Sequence, residues 1–163
     1  MLSISDHGVS FIKSWEGFVP EAYQDISGVW TIGYGHTRGF NEGRFHGKSR
    51  IDEAHADRLL RDDLTNAEQR VNSLVHVPLK QSGFDALVSF EFNTGGLARS
   101  TALKRLNAGD RAGAAQALTW WCKARVNGKL RVVRGLKLRR DDEAALFLSD
   151  NIDGDKETMV AEC

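Results

Sequence analysis

The chain has 163 residues, 41% hydrophobic and 27% charged, with a formal net charge of zero at pH 7. Those proportions fit a water-soluble globular protein long enough to bury a core without covalent staples. They exclude stable membrane insertion, since no stretch approaches the roughly 18 consecutive apolar residues of a spanning helix, and the two cysteines, Cys122 and Cys163, exclude a disulfide framework.

Ser5 and Asp6 are N-cap candidates for a helix running to about Glu16. Val9, Ile12, Trp15 and Glu16 fall at helical spacing, and Gly17 stands where a left-handed residue ends such a helix. Asp6, Lys13 and Glu16 interrupt this segment, so it is not a secretory signal and synthesis in a cytoplasm is expected.

Residues 18–47 change character. Glycines recur at 28, 33, 35, 39, 43 and 47, the run from Val29 to His36 alternates as a strand does, and Ser27-Gly28 marks a turn between Tyr23 and Trp30. A small antiparallel sheet of two or three short strands is expected. Alternation places Trp30, Ile32 and Tyr34 on the core face, and Thr31, Gly33 and Gly35 on the opposite one.

Ser49 then caps a long helix, with Asp52 in a weaker version of a capping box. Leu60, Leu64, Ala67, Val71 and Leu74 form one apolar stripe, and the helix ends near Val75, before Pro78. At about 1.5 Å per residue it would be about 37 Å long, a strut between two lobes.

The remainder reads as helical. Phe84, Leu87, Val88 and Phe92 share a face that breaks at Asn93–Gly96. Thr101 to Ala108 is stopped by Gly109, Asp110 caps the next helix, Asn127-Gly128 is a turn, and Arg139 to Leu148 closes the ordered part. The expected organisation is one domain over 1–163. It comprises a sheet-containing N-terminal lobe to about 58, a connecting helix over about 49–75, a helical lobe over about 76–150 and an acidic tail over 151–163. Residues 99–140 carry twelve basic side chains and one acidic, whereas 141–163 carry one basic and eight acidic. The cationic stretch suits an anionic polymer, or pairs with the acidic tail.

Three residues carry the chemistry. Glu16 lies in the last turn of its helix, where partial burial and the negative helix end both favour an uncharged, proton-donating carboxyl. Asp25 lies in a polar loop and is expected to be ionised. Two carboxyls in unlike surroundings are the machinery of glycoside hydrolysis. Thr31 is placed to hold a water beside Asp25. The five histidines, at 7, 36, 46, 55 and 76, show no ligand spacing, so neither metal nor cofactor is expected, and His36 reads as structural.

The segments Trp15-Glu-Gly-Phe18, Ala22-Tyr-Gln-Asp25 and Trp30-Thr-Ile-Gly-Tyr-Gly-His-Thr37 resemble the active-site region of the phage-type lysozymes, glycoside hydrolase family 24. The spacing is Glu, eight residues, Asp, five residues, Thr. The resemblance continues through Ser89-Phe-Glu-Phe-Asn93, Ser100 to Asp110, and Gly135-Leu-Lys-Leu-Arg-Arg140 with Glu143. It implies an α+β, mainly helical fold in which a small sheet-containing lobe is joined by a long helix to a helical lobe. It also implies hydrolysis of the β-1,4 bond between N-acetylmuramic acid and N-acetylglucosamine in bacterial peptidoglycan. On that likeness Glu16 is the general acid, Asp25 the base or charge stabiliser, and Thr31 the residue that positions water. Thr37, Phe92 and Asn93 are then candidate sugar contacts. Arg134, Arg139 and Arg140 are candidates to neutralise a cleft carboxylate, and Glu91 departs from the small or apolar residue usual in its stretch. Release through holin pores and a monomeric state are further expectations. A non-catalytic cell-wall-binding module and a lytic transglycosylase are the alternatives. Nucleic-acid binding is not expected, because the basic stretch lacks a recognised motif.

Overall fold

The computed structural model describes residues 1–149. The expected acidic tail and Cys163 lie outside the described residues. Among these residues the fold is α+β and mainly helical, with six α-helices and two small antiparallel sheets.

Helix α1 (Asp6–Glu16) begins as expected, with Ser5 rather than Asp6 as its cap: the hydroxyl accepts the Gly8 N–H at 3.1 Å. Gly17 takes the positive φ expected of it, 71°, but with a ψ of 145° rather than the αL value. Ahead of the helix, Leu2 N donates to Asn72 Oδ1 at 3.0 Å, and Ser5 N donates to the buried Asp85 carboxylate at 3.0 Å. Val9 and Ile12 are buried, and α1 packs on helix α3 (Gln81–Thr94).

Strands β1 (Val19–Gln24) and β2 (Trp30–Gly33) pair antiparallel, with Tyr23 opposite Thr31 and Gln24 opposite Trp30. Arg50 adds one bridge at Glu21. The strand expected to reach His36 stops at Gly33, whose φ is 68°. Gly35 has a φ of 81°, and His36 returns to bridge Ile32. Ile32 and Tyr34 are buried as expected. Trp30 instead lies partly in solvent, stacked on Phe40, while Thr31 is buried. The positive-φ backbone at Gly33 and Gly35 ends the strand and turns the chain back within four residues, so the alternation does not run on to His36.

Helix α2 (Glu53–Leu74) is capped by Asp52, which accepts the His55 N–H at 2.7 Å; Ser49 is not the cap. The backbone carbonyl of Ser49 is taken by Ala22 N at 2.9 Å, so this stretch belongs to the sheet edge. The helix is 22 residues long, about 33 Å. Its stripe Leu60, Leu64, Ala67 and Val71 is buried against the core, with Leu74 partly buried.

The central helix α3 is buried from Gly83 to Glu91 and ends at Gly95, left-handed at φ 57°. Glu91 takes the Leu97 N–H at 2.9 Å and pairs with Arg70, so the carboxylate unusual for this stretch closes the turn after α3. A short 3-10 turn leads to α4 (Thr101–Asn107) and α5 (Arg111–Leu118), the latter capped by Asp110 as expected. A second hairpin follows, β3 (Lys123–Val126) and β4 (Lys129–Val132), turning at Asn127 (φ 49°) and Gly128 (φ 76°). The expectation of an all-helical second half is corrected here, because two left-handed residues in a row form a hairpin turn. Helix α6 (Arg134–Leu148) starts five residues before Arg139 and packs on α3 and α5.

Candidate active site

Glu16 is the last residue of α1, and its side chain is 22% exposed. Oε1 accepts a hydrogen bond from Nη1 of Arg139 at 2.7 Å. A methyl group built on Gly35 would lie 3.9 Å from Oε2, so the turn after β2 passes directly beside the carboxylate. The absent side chain at Gly35 leaves that approach open. Of the three arginines considered as partners for a cleft carboxylate, the structure selects Arg139.

Asp25 and Thr31 are organised by one residue between them. Val29 N donates to Asp25 Oδ1 at 2.9 Å, and Ser27 N donates to the same oxygen at 2.8 Å. The Val29 carbonyl accepts both the Asp25 N–H at 2.9 Å and the Thr31 hydroxyl at 3.0 Å. Backbone donors therefore fix the exposed Asp25 carboxylate through Oδ1 alone, and Oδ2 takes no bond within the described residues. With its hydrogen committed to Val29, the Thr31 oxygen is left as an acceptor.

Behind Glu16 lies a buried ionic network. Arg139 Nε donates to Glu143 Oε1 at 3.1 Å and Nη2 to Ser89 Oγ at 3.3 Å, while Ser89 Oγ donates to Glu143 Oε1 at 2.7 Å. Arg140 Nη1 lies 2.8 Å from Glu143 Oε2, its Nη2 donates to Asn93 Oδ1, and its guanidinium sits 5.2 Å from the Phe90 ring centroid. Burial pushes the Glu143 carboxyl up from the ordinary glutamate range, against the pull of Arg140, Ser89 and Arg139. Burial also brings Arg140 down, against Glu143. Removing one partner of such a set leaves a buried charge without its counter-ion.

The remaining candidates spread out. Asn93 is exposed and joins the network through Arg140. Phe92 is partly buried and packs on the core, and Thr37 is exposed beyond the sheet. His36 is buried, with Nδ1 2.7 Å from Asp63 Oδ2, the structural role expected of it. Sequence reading missed Ser89 and Glu143 as parts of the site. The Arg139 to Glu143 spacing of four was the available signal, since residues four apart share a helix face.

A family model described as phage lysozyme matches residues 13–143, spanning Glu16, Asp25, Thr31 and the α3–α6 network. The chain belongs to the phage lysozyme family. Among its relatives is an endolysin of Acyrthosiphon pisum secondary endosymbiont phage 1, 42% identical over 150 residues, which cover 91% of this chain and 99% of that protein. The muramidase domain of SpmX from Asticaccaulis excentricus superposes with a TM-score of 0.84 at 43% identity, covering 92% of this chain and 100% of that one. A lysozyme of phage P22, crystallised as a mutant, superposes with a TM-score of 0.81 at 37% identity, covering 91% and 100%. This member of the phage lysozyme family is accordingly a peptidoglycan-hydrolysing enzyme with the lysozyme fold.

Proposed function

We propose that the chain is a muramidase that cleaves the β-1,4 bond between N-acetylmuramic acid and N-acetylglucosamine, with Glu16 as general acid, Asp25 as base or charge stabiliser and Thr31 positioning water. The observation that carries this reading is the contrast between the two carboxyls. Glu16 is partly enclosed at a helix end beside a guanidinium, whereas Asp25 is exposed and fixed by backbone donors through one oxygen.

That contrast divides the work. A water has two hydrogens to give. Thr31 Oγ1 accepts one, because its own hydrogen is engaged by Val29. Asp25 Oδ2 accepts the other, because Oδ1 is engaged by Ser27 and Val29. The water's lone pair is then free for the anomeric carbon, while Glu16 protonates the leaving oxygen. This reading keeps Thr37, Phe92 and Asn93 as candidate sugar contacts.

The wider reading has one lysozyme domain over residues 1–163, made in a host cytoplasm, released through holin pores and acting on the wall as a monomer. No helix of the described residues is long and apolar enough to cross a membrane.

The test is clearing of purified peptidoglycan by wild type and Glu16→Gln, with mass analysis of the products. Wild-type clearing with reducing ends, lost in a folded Glu16→Gln variant, supports the reading. Products with anhydro ends would make the enzyme a transglycosylase. Binding without clearing would make it a wall-binding module.

A further inference from the structure

Arg139 is the only described side chain that hydrogen-bonds to Glu16, so whatever fixes its guanidinium also fixes the setting of that carboxyl. A guanidinium is a rigid planar fork, so anchoring its Nε edge aims its Nη1. Glu143 supplies the anchor. It lies one turn further along α6, its side chain is fully buried, and Oε1 accepts from both Arg139 Nε and Ser89 Oγ. Its other oxygen faces Arg140, also fully buried.

From this geometry we infer that Glu143 is the positioning residue for the catalytic acid: it aims Arg139 at Glu16, and its charge offsets the buried arginine pair so that the cation held against Glu16 is already compensated. The inference rests on the reading of Glu16 as general acid.

The surrounding charges leave Glu143 alone in that role. Helix α6 contributes Arg139 and Arg140. Helix α3 contributes the neutral Ser89 and Asn93. Cys122, ahead of β3, is the further titratable group acting on Arg140. On α1, Lys13 is engaged by Asp57 of α2. Two cations and two carboxyls therefore form one connected network, and neutralising Glu143 leaves Arg139, the cation that contacts Glu16, without its second carboxylate. That favours the charged form of Glu16, which cannot donate a proton.

The experiment is the pH profile of peptidoglycan clearing for wild type, Glu143→Gln, Glu143→Asp and Asp85→Asn, with thermal denaturation of each. Glu143→Gln keeps the shape and removes the charge. Its alkaline limb should move to lower pH by about one unit, with activity regained on the acid side. Glu143→Asp keeps the charge but withdraws it from Arg139, so kcat should fall while the limb stays. Asp85→Asn, a buried carboxylate lost elsewhere on α3, should lower Tm without moving the limb. The inference is overturned if Glu143→Gln lowers Tm and leaves the limb in place. Should that variant not fold, wild-type kcat in Glu143→Asp overturns it instead. If Glu16→Gln itself clears walls with the wild-type alkaline limb, the general-acid reading has failed; if it is inactive and only the Glu143 variants disappoint, the failure is confined to the inference.

Discussion

His36 and Asp63 fasten the end of the small sheet to the middle of α2, with Nδ1 of the buried imidazole 2.7 Å from Oδ2 of the carboxylate. Asp63 also holds the exposed Arg38 through its other oxygen. Replacing Asp63 by Ala leaves the buried ring without its partner, a loss of about 1–3 kcal/mol. Arg38→Ala should cost far less, because exposed ion pairs contribute little. Thermal denaturation of the two variants checks this, and equal Tm values would refute the ranking.

Acid should weaken the α1–α2 contact. The Lys13 hydrogen bond, followed by that of Arg61, holds the Asp57 carboxyl below its ordinary value against the effect of burial. A depressed folded value stabilises above the unfolded value and is lost as pH falls through the folded one. Asp57→Asn should therefore be less stable than wild type at neutral pH, with the gap closing in strong acid. Urea unfolding across that range measures the gap, and a pH-independent difference would contradict it.

Alkali should act through Tyr34. Burial, then the hydrogen bond to Glu53 at 2.9 Å, pushes its phenol up to about 12. A raised folded value contributes stability below the unfolded value of about 10 and loses it as pH climbs toward the folded one. Wild type should exceed Tyr34→Phe in stability at neutral pH and lose that lead in strong alkali. Ultraviolet titration of a Tyr23→Phe background isolates the Tyr34 transition, expected near 12.

Thr31→Val preserves a β-branched residue in β2 and removes only the hydroxyl. The Val29 carbonyl keeps the Asp25 N–H, so the loop stays closed. We expect kcat to fall about tenfold or more with KM little changed, because in the proposed role the lost bond is to attacking water rather than to sugar. Thr31→Ser should recover most of the rate. A Thr31→Val enzyme with full kcat would remove Thr31 from the mechanism.

Gly96 makes room for Trp121. A methyl there would run into the Trp121 ring, and the backbone itself is not in the left-handed region. Gly96→Ala should cost about 1–3 kcal/mol through overpacking alone. Combining it with Trp121→Ala should make the second cost smaller than additive, as expected of residues in contact.

Much of this was readable from the chain. Ser5 and Asp110 follow local hydrogen-bonding rules and stand where those rules put them, and α3 ends at Gly95, within the expected break over Asn93–Gly96. Glu16, Asp25 and Thr31 could be proposed together because their spacing is short, and the structure adds the Val29 and Arg139 hydrogen bonds around them. The second hairpin was not. Lys123 faces Val132 and Arg125 faces Leu130, while on the other side Ala124 faces Arg131 and Val126 faces Lys129. Both faces mix cations with apolar residues, so no period of two emerges, and Asn127-Gly128 was the remaining sign. The cap of α2 moved to Asp52 because the Ser49 backbone pairs with β1, a contact that no local pattern announces. Ser89 and Glu143 escaped notice because their role depends on α3 packing against α6, across 54 residues.

The Arg139–Glu16 contact spans 123 residues of chain. During synthesis, the Glu16 carboxyl therefore waits for its arginine until nearly the whole described fold has emerged. A nascent or prematurely terminated product that ends before α6 holds Glu16 without the guanidinium that hydrogen-bonds to it in the finished fold. On the proposed reading of Glu16 as general acid, such fragments should be inert toward peptidoglycan, and the order of translation would itself delay activity until the last helix is in place.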